Sequence, residues 1–141
     1  MGWALIRPLR ARRRGDAVVE FALLAPTLLL LLFGILEIGR VLDAWLIVEN
    51  AAREGARVGV STPASDPTAT AQAAASAYLN SALAGRIGTA GDIAAIPQPL
   101  VQYDANTVQV SIEVDVQLYT PIFQSMLHSP VPVRATVSMR R

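Results

Sequence analysis

The 141 residues contain no cysteine, which excludes a disulfide framework, a thiolate metal site and a cysteine nucleophile. Lysine is absent too: all twelve basic residues are arginine, so a phosphate loop built around its lysine is ruled out. The one histidine, His128, lies in a Ser/Pro stretch, with no second imidazole for a metal and no nucleophile beside it. The acids are scattered. These absences predict a protein with no catalytic residues, no metal and no cofactor. Negative charge is missing from the first fifteen residues, where Arg7, Arg10, Arg12, Arg13 and Arg14 stand unopposed. The seven remaining arginines face all eleven acids, a net of −4 over residues 16–141. The overall +1 therefore joins a basic arm to a mildly acidic body.

What the chain does have is one long apolar run, Phe21 to Leu36 (FALLAPTLLLLLFGIL). Ala17, Val18 and Val19 extend it backward past a single acid, Glu20. A bilayer core roughly 30 Å thick takes about 20 mostly apolar helical residues, and Ala17–Leu36 supplies them if Glu20 is accommodated near one end. A secretory signal is the rival reading. The run exceeds an h-region of about 7–15 residues, and its end, FGILEIGRVLDAW, has no small-x-small cleavage pattern. Beside a span, arginines are retained on the cytoplasmic side, so Arg10, Arg12, Arg13 and Arg14 set the topology rather than bind nucleic acid.

Beyond the run the helical period continues, so one helix is expected from about Asp16 to Val60, with Pro26 inside it. Ile38, Val41, Leu42, Trp45, Leu46, Val48, Ala52, Ala56 and Val60 form its expected apolar row, and Glu37 and Asp43 read as interfacial charges. Ala51, Gly55 and Gly59 make a second row of small residues, four apart, open to close helix or sheet packing. Asp66 as N-cap and Pro67 at the first helical position start a second helix over 67–83. It is expected to bury Ala71, Ala74, Ala75, Tyr78, Leu79 and Ala82, and Gly85 stops it. GRIGTAGD (85–92) reads as a flexible loop, its glycine spacing matching no phosphate motif.

The period then changes to two. A strand over 100–103 and a turn at 104–106 precede TVQVSIEVDVQL (107–118), which alternates Val108, Val110, Ile112, Val114, Val116 and Leu118 with polar residues. A second alternation over 131–139 turns Val131, Val133, Ala135, Val137 and Met139 inward. Pro97, Pro99, Pro121, Pro130 and Pro132 mark loops and edges. The fold class is α+β: a long N-terminal membrane-spanning helix continues into a small domain with a second helix and a three-stranded antiparallel sheet. Residues 1–15 read as a basic cytoplasmic leader, 16–39 as the transmembrane helix and 40–141 as an extracytoplasmic domain, with its helices over 40–60 and 67–83.

Three pieces in order carry a family likeness: Gly15-x-x-x-x-Glu20-Phe21 before the span, Phe33–Arg40 (FGILEIGR) at its end, and Asn50–Arg57 (NAAREGAR) on the emergent helix. Gly15 to Arg57 resembles the TadE-like pseudopilins of tight-adherence pilus systems. The resemblance implies cleavage between Gly15 and Asp16 by a membrane-embedded prepilin peptidase, with Glu20 then the fifth residue and Phe21 the sixth. It implies that the Glu20 carboxylate pairs with the Asp16 amine of a neighbouring subunit on assembly. An acid at the first mature position departs from the small or neutral residue more usual there, and points to a processed minor subunit or assembly factor. Implied partners are the peptidase, other pilin-like subunits and the pilus membrane platform, at the bacterial cytoplasmic membrane. The alternative is an unprocessed single-span envelope protein whose outer domain is a binding module.

Overall fold

The computed structural model describes residues 15–63, 66–84, 93, 95–104 and 106–140. It is an α+β fold with a long N-terminal helix, α1 (Asp16–Ser61), a second helix, α2 (Thr68–Ala82), and an antiparallel sheet of three strands. The strands are β1 (Leu100–Asp104), β2 (Thr107–Val116) and β3 (Val131–Arg140), paired in that order with β2 central. A short helix, α3 (Pro121–Leu127), connects β2 to β3. Contacts divide the chain into two units between Phe33 and Gly34.

In the first unit every described large apolar side chain, from Val18 to Phe33, is exposed. Helical assignment is continuous through Pro26. An 18-residue window of α1 has a mean hydropathy of 2.4 and none of it is buried, so α1 is long and apolar enough to cross a membrane.

The second unit holds the core. Val108, Val110, Ile112, Val114 and Val116 point to the covered face of β2, as period-two alternation requires, and all are buried. Against them lie Ala44, Val48, Ala51, Ala52 and Ala56 of α1 and Ala71, Ala75 and Leu79 of α2. The register pairs Glu113 with Arg134 and Ser111 with Thr136 on the open face, where the two hydroxyls bond at 2.9 Å. Pro132 falls on edge strand β3, where a missing N–H is tolerated.

Local chemistry sets the ends of α1 and α2. Ser61 Oγ and Thr62 Oγ1 both donate to Val58 O, and Pro63 follows, so α1 stops there. Asp66 Oδ1 accepts the Thr68 N–H at 2.9 Å, and Ala71 N–H reaches Pro67 O, which caps the start of α2.

Four details depart from the sequence reading. On α1 the buried stripe is Glu37, Ala44, Val48, Ala51, Ala52, Gly55, Ala56 and Gly59, whereas Ile38, Leu42, Trp45 and Leu46 are exposed. Tyr78 is exposed because small α2 residues face the core. β2 ends at Val116, since the next backbone donors turn to side-chain acceptors, although Leu118 stays buried. The stretch read as a loop after Thr120 contains α3, with Pro121 at its start. Gly85 and the 85–92 loop lie outside the described residues.

Candidate functional site

Gly15 occupies a turn directly before α1, exposed, with open space where a Cβ would be. Its carbonyl accepts the Val19 N–H at 3.0 Å, so the first helical bond closes over Asp16. Asp16 is the first helical residue, where the positive end of the helix macrodipole favours an acid. Glu20 follows one turn later on the same side as Asp16, and both are exposed, as is Phe21. Arg10, Arg12, Arg13 and Arg14 lie outside the described residues.

Ala51, Gly55 and Gly59 are buried where α1 meets α2 and β2. A Cβ on Gly55 would stand 2.9 Å from Ala71 O and 2.9 Å from Ala75 Cβ. One on Gly59 would stand 2.9 Å from Val108 Cγ1 and 3.0 Å from Ala71 Cβ. Only glycine permits these approaches without displacing backbone or packed side chains.

A polar centre that the sequence reading missed lies at the other end of this helix face. Glu37, read as an interfacial charge, is 5% exposed, and among the described residues it is the buried charged one. Its Oε1 accepts the Tyr119 N–H at 2.7 Å, the Thr120 N–H at 2.8 Å and the Thr120 hydroxyl at 3.0 Å. Its Oε2 takes Arg40 Nη1 at 2.9 Å, while Arg40 Nη2 donates to Gln117 O at 3.1 Å. The Arg40 guanidinium lies 3.7 Å from the centroid of the Tyr119 ring. A buried carboxylate is tolerable when it is paired and hydrogen-bonded in this way. The i, i+3 spacing of Glu37 and Arg40 was visible in sequence. Their partners, some eighty residues further on, were not.

Further out, Glu49 pairs with Arg53, and Arg57 Nε donates to Glu54 at 2.9 Å. Hydrogen bonds from Arg57 hold the Glu54 carboxyl below its usual range, and Glu54 raises Arg57 in turn. Hydrogen bonds from Thr68 likewise lower Asp66.

Residues 15–57 match the TadE-like protein family. The TadE-like segment opens on Gly15, takes in Glu20, the Glu37–Arg40 pair, Ala51 and Gly55, and closes on Arg57, so Gly59 and the whole sheet fall outside it. The match points to a tight-adherence pilus system containing other subunits, and to a structural rather than enzymatic family. Among the described residues one helix, α1, is long and apolar enough to cross a membrane, which fits a single-pass membrane protein of such a system. Comparison with curated proteins and with solved structures finds no match.

Proposed function

We propose that this chain is a membrane-anchored pseudopilin, or minor pilin-like subunit, that acts in assembly of a tight-adherence pilus. A prepilin peptidase cuts between Gly15 and Asp16. The chain sits in the bacterial cytoplasmic membrane, with Arg10, Arg12, Arg13 and Arg14 keeping the N-terminus cytoplasmic and the α+β domain outside. The observation that carries the reading is that two starts fall on adjacent residues, with an exposed glycine at the first of them. The TadE-like match opens on Gly15, α1 opens on Asp16, and Gly15 is exposed ahead of an unburied apolar helix.

Within the assembly, Glu20 pairs with the Asp16 amine of a neighbouring subunit. An ionisable group inside a span costs about 2.5–3.5 kcal/mol on insertion scales, and pairing offsets that while fixing helix register. Other pilin-like subunits meet the chain through the span, and the pilus membrane platform receives it.

The intact mass of membrane-extracted protein tests this directly. The expected mass is that of a chain beginning at Asp16, and Gly15→Ala should restore the full-length mass. Glu20 and Phe21 belong with Gly15 and Asp16 to the processing motif, and Glu20→Ala should block processing or, where cleavage proceeds, cross-linking to pilin-like partners. A wild-type chain that keeps residues 1–15, with partners indifferent to Glu20, identifies an unprocessed tethered domain instead.

A further inference from the structure

Helix α3 is unusual in having no buried residue. Its large apolar side chains face outward: Ile122 is 50% exposed, Met126 68% and Leu127 57%, with Phe123 half-buried. Residues 122/126 and 123/127 are i, i+4 pairs, so they form one stripe along two turns. No residue from Leu118 to Leu127 carries a charge.

The polar groups around this stripe are hydrogen-bonded within the chain. Gln124 Nε2 donates to Leu118 O at 2.5 Å, and Ser125 Oγ donates to Ile122 O at 2.8 Å. Leu118 N–H goes to Ser129 Oγ, and the donors of Tyr119 and Thr120 go to Glu37. These bonds are compatible with entry into lipid, where the hydrocarbon supplies no partners.

Position identifies the occupant. Phe123 lies over Gly34, so close that a Cβ there would be 3.3 Å from its Cζ, and Gly34-Ile35-Leu36 is the last part of the apolar run. A groove of about 300 Å³ between Gly34, Ile38 and Leu42 of α1 and Phe123 and Leu127 of α3 makes the apolar surface continuous. Glu37 lines this groove, and its partners Arg40 and Tyr119 stack on each other, the residue types that sit at headgroup level.

We propose that α3 is a membrane-docking element, with Ile122, Met126 and Leu127 inserted at the headgroup–acyl boundary beside the end of the span. The proposal rests on the reading of α1 as membrane-spanning. It gives the domain a second, shallow hold on the bilayer besides the helix.

The cysteine-free chain allows a direct test. Full-length protein carrying Met126→Cys, Ile35→Cys or Ala69→Cys is labelled with an environment-sensitive fluorophore. Each is reconstituted into phosphatidylcholine/phosphatidylglycerol vesicles, with and without brominated acyl chains. The labels at 35 and 126 should both emit at shorter wavelength and be quenched by bromine to a comparable extent. The label at position 69, where Ala69 is exposed on the first turn of α2, should do neither. Quenching at 35 with none at 126 overturns the docking of α3 and leaves the span standing. Quenching at neither position overturns the span, and the docking with it. A short-wavelength label at 126 that ignores bromine and responds to the protein-to-lipid ratio assigns the stripe to a second subunit, and the lipid proposal fails.

Discussion

The two stretches of α1 on either side of Gly34 are both apolar and both helical, yet they meet opposite fates. From Val18 to Phe33 the large side chains are leucine, valine and phenylalanine, and all of them are exposed. From Ala44 to Gly59 the buried positions are alanine, glycine and one valine, packed against α2 and β2. Bulk gives lipid or a neighbouring helix a wide surface to cover. Smallness brings three elements of one chain close enough to share a core. In this helix, size rather than hydrophobicity decides which face is buried, and Ile38, Leu42 and Leu46 remain outside for that reason.

The same substitution made in the span and in the core that the second stretch packs against should break this contrast or confirm it. Leu79→Ala empties a fully buried site and should cost about 2–5 kcal/mol, whereas Leu30→Ala, at an exposed site outside the domain core, should shift domain stability by less than about 0.5 kcal/mol. Thermal unfolding of the detergent-solubilised chain, followed by circular dichroism, reads both. Equal losses would mean that the span is part of the domain core.

Glu37→Ala should follow, at about 3 kcal/mol, because it removes the carboxylate that accepts three donors at Tyr119 and Thr120 and pairs with Arg40. Glu37→Gln should recover part of the loss, since its amide oxygen still accepts but its charge is gone. Smaller again is the glycine series. Gly55→Ala meets a backbone carbonyl that cannot yield and should cost about 1–3 kcal/mol of overpacking, less up to about 1 kcal/mol regained in helix propensity. Gly34→Ala meets only the edge of the Phe123 ring and should be near neutral or stabilising in the same melts.

Acid should have the smallest effect. Asp66 and Glu54 have lowered pKa values in the folded state, so the folded chain binds fewer protons than the unfolded one and their contribution is present above the ordinary carboxylate range. It is lost as pH falls through the depressed values. Melts at stepped pH should therefore show a modest decline below about pH 4, and Asp66→Asn should flatten part of it. A wild-type curve that rises in acid contradicts the sign.

Much of this architecture was legible because it depends on local period. The alternation over Thr107–Val116 and Val131–Arg140 marks two strands, and the Asp66–Pro67 start and the Pro63 stop bracket the turn between helices. What stayed hidden depends on partners distant in sequence. Tyr78 has the right helical phase for burial, but α2 approaches the core through Ala71, Ala75 and Leu79, leaving the ring no room beneath. α3 is two turns long, too short for periodicity to separate it from a proline-bounded loop. Glu37 resembles any charge at the end of a hydrophobic run, since its acceptors are filled by the backbone of residues 119 and 120. The assembly residues Asp16 and Glu20 carried the opposite signal: the motif around them is plain in sequence, while their single-chain geometry is that of two exposed acids.

The clasp at Glu37 also has a consequence for timing. During synthesis α1 is complete well before Tyr119 and Thr120 exist, so the carboxylate first meets only Arg40 and water. The last third of the chain replaces that water when it arrives. The domain thus closes late, and a ribosome stalled before residue 119 would leave a finished helix whose Glu37 has Arg40 but none of its three donors from Tyr119 and Thr120.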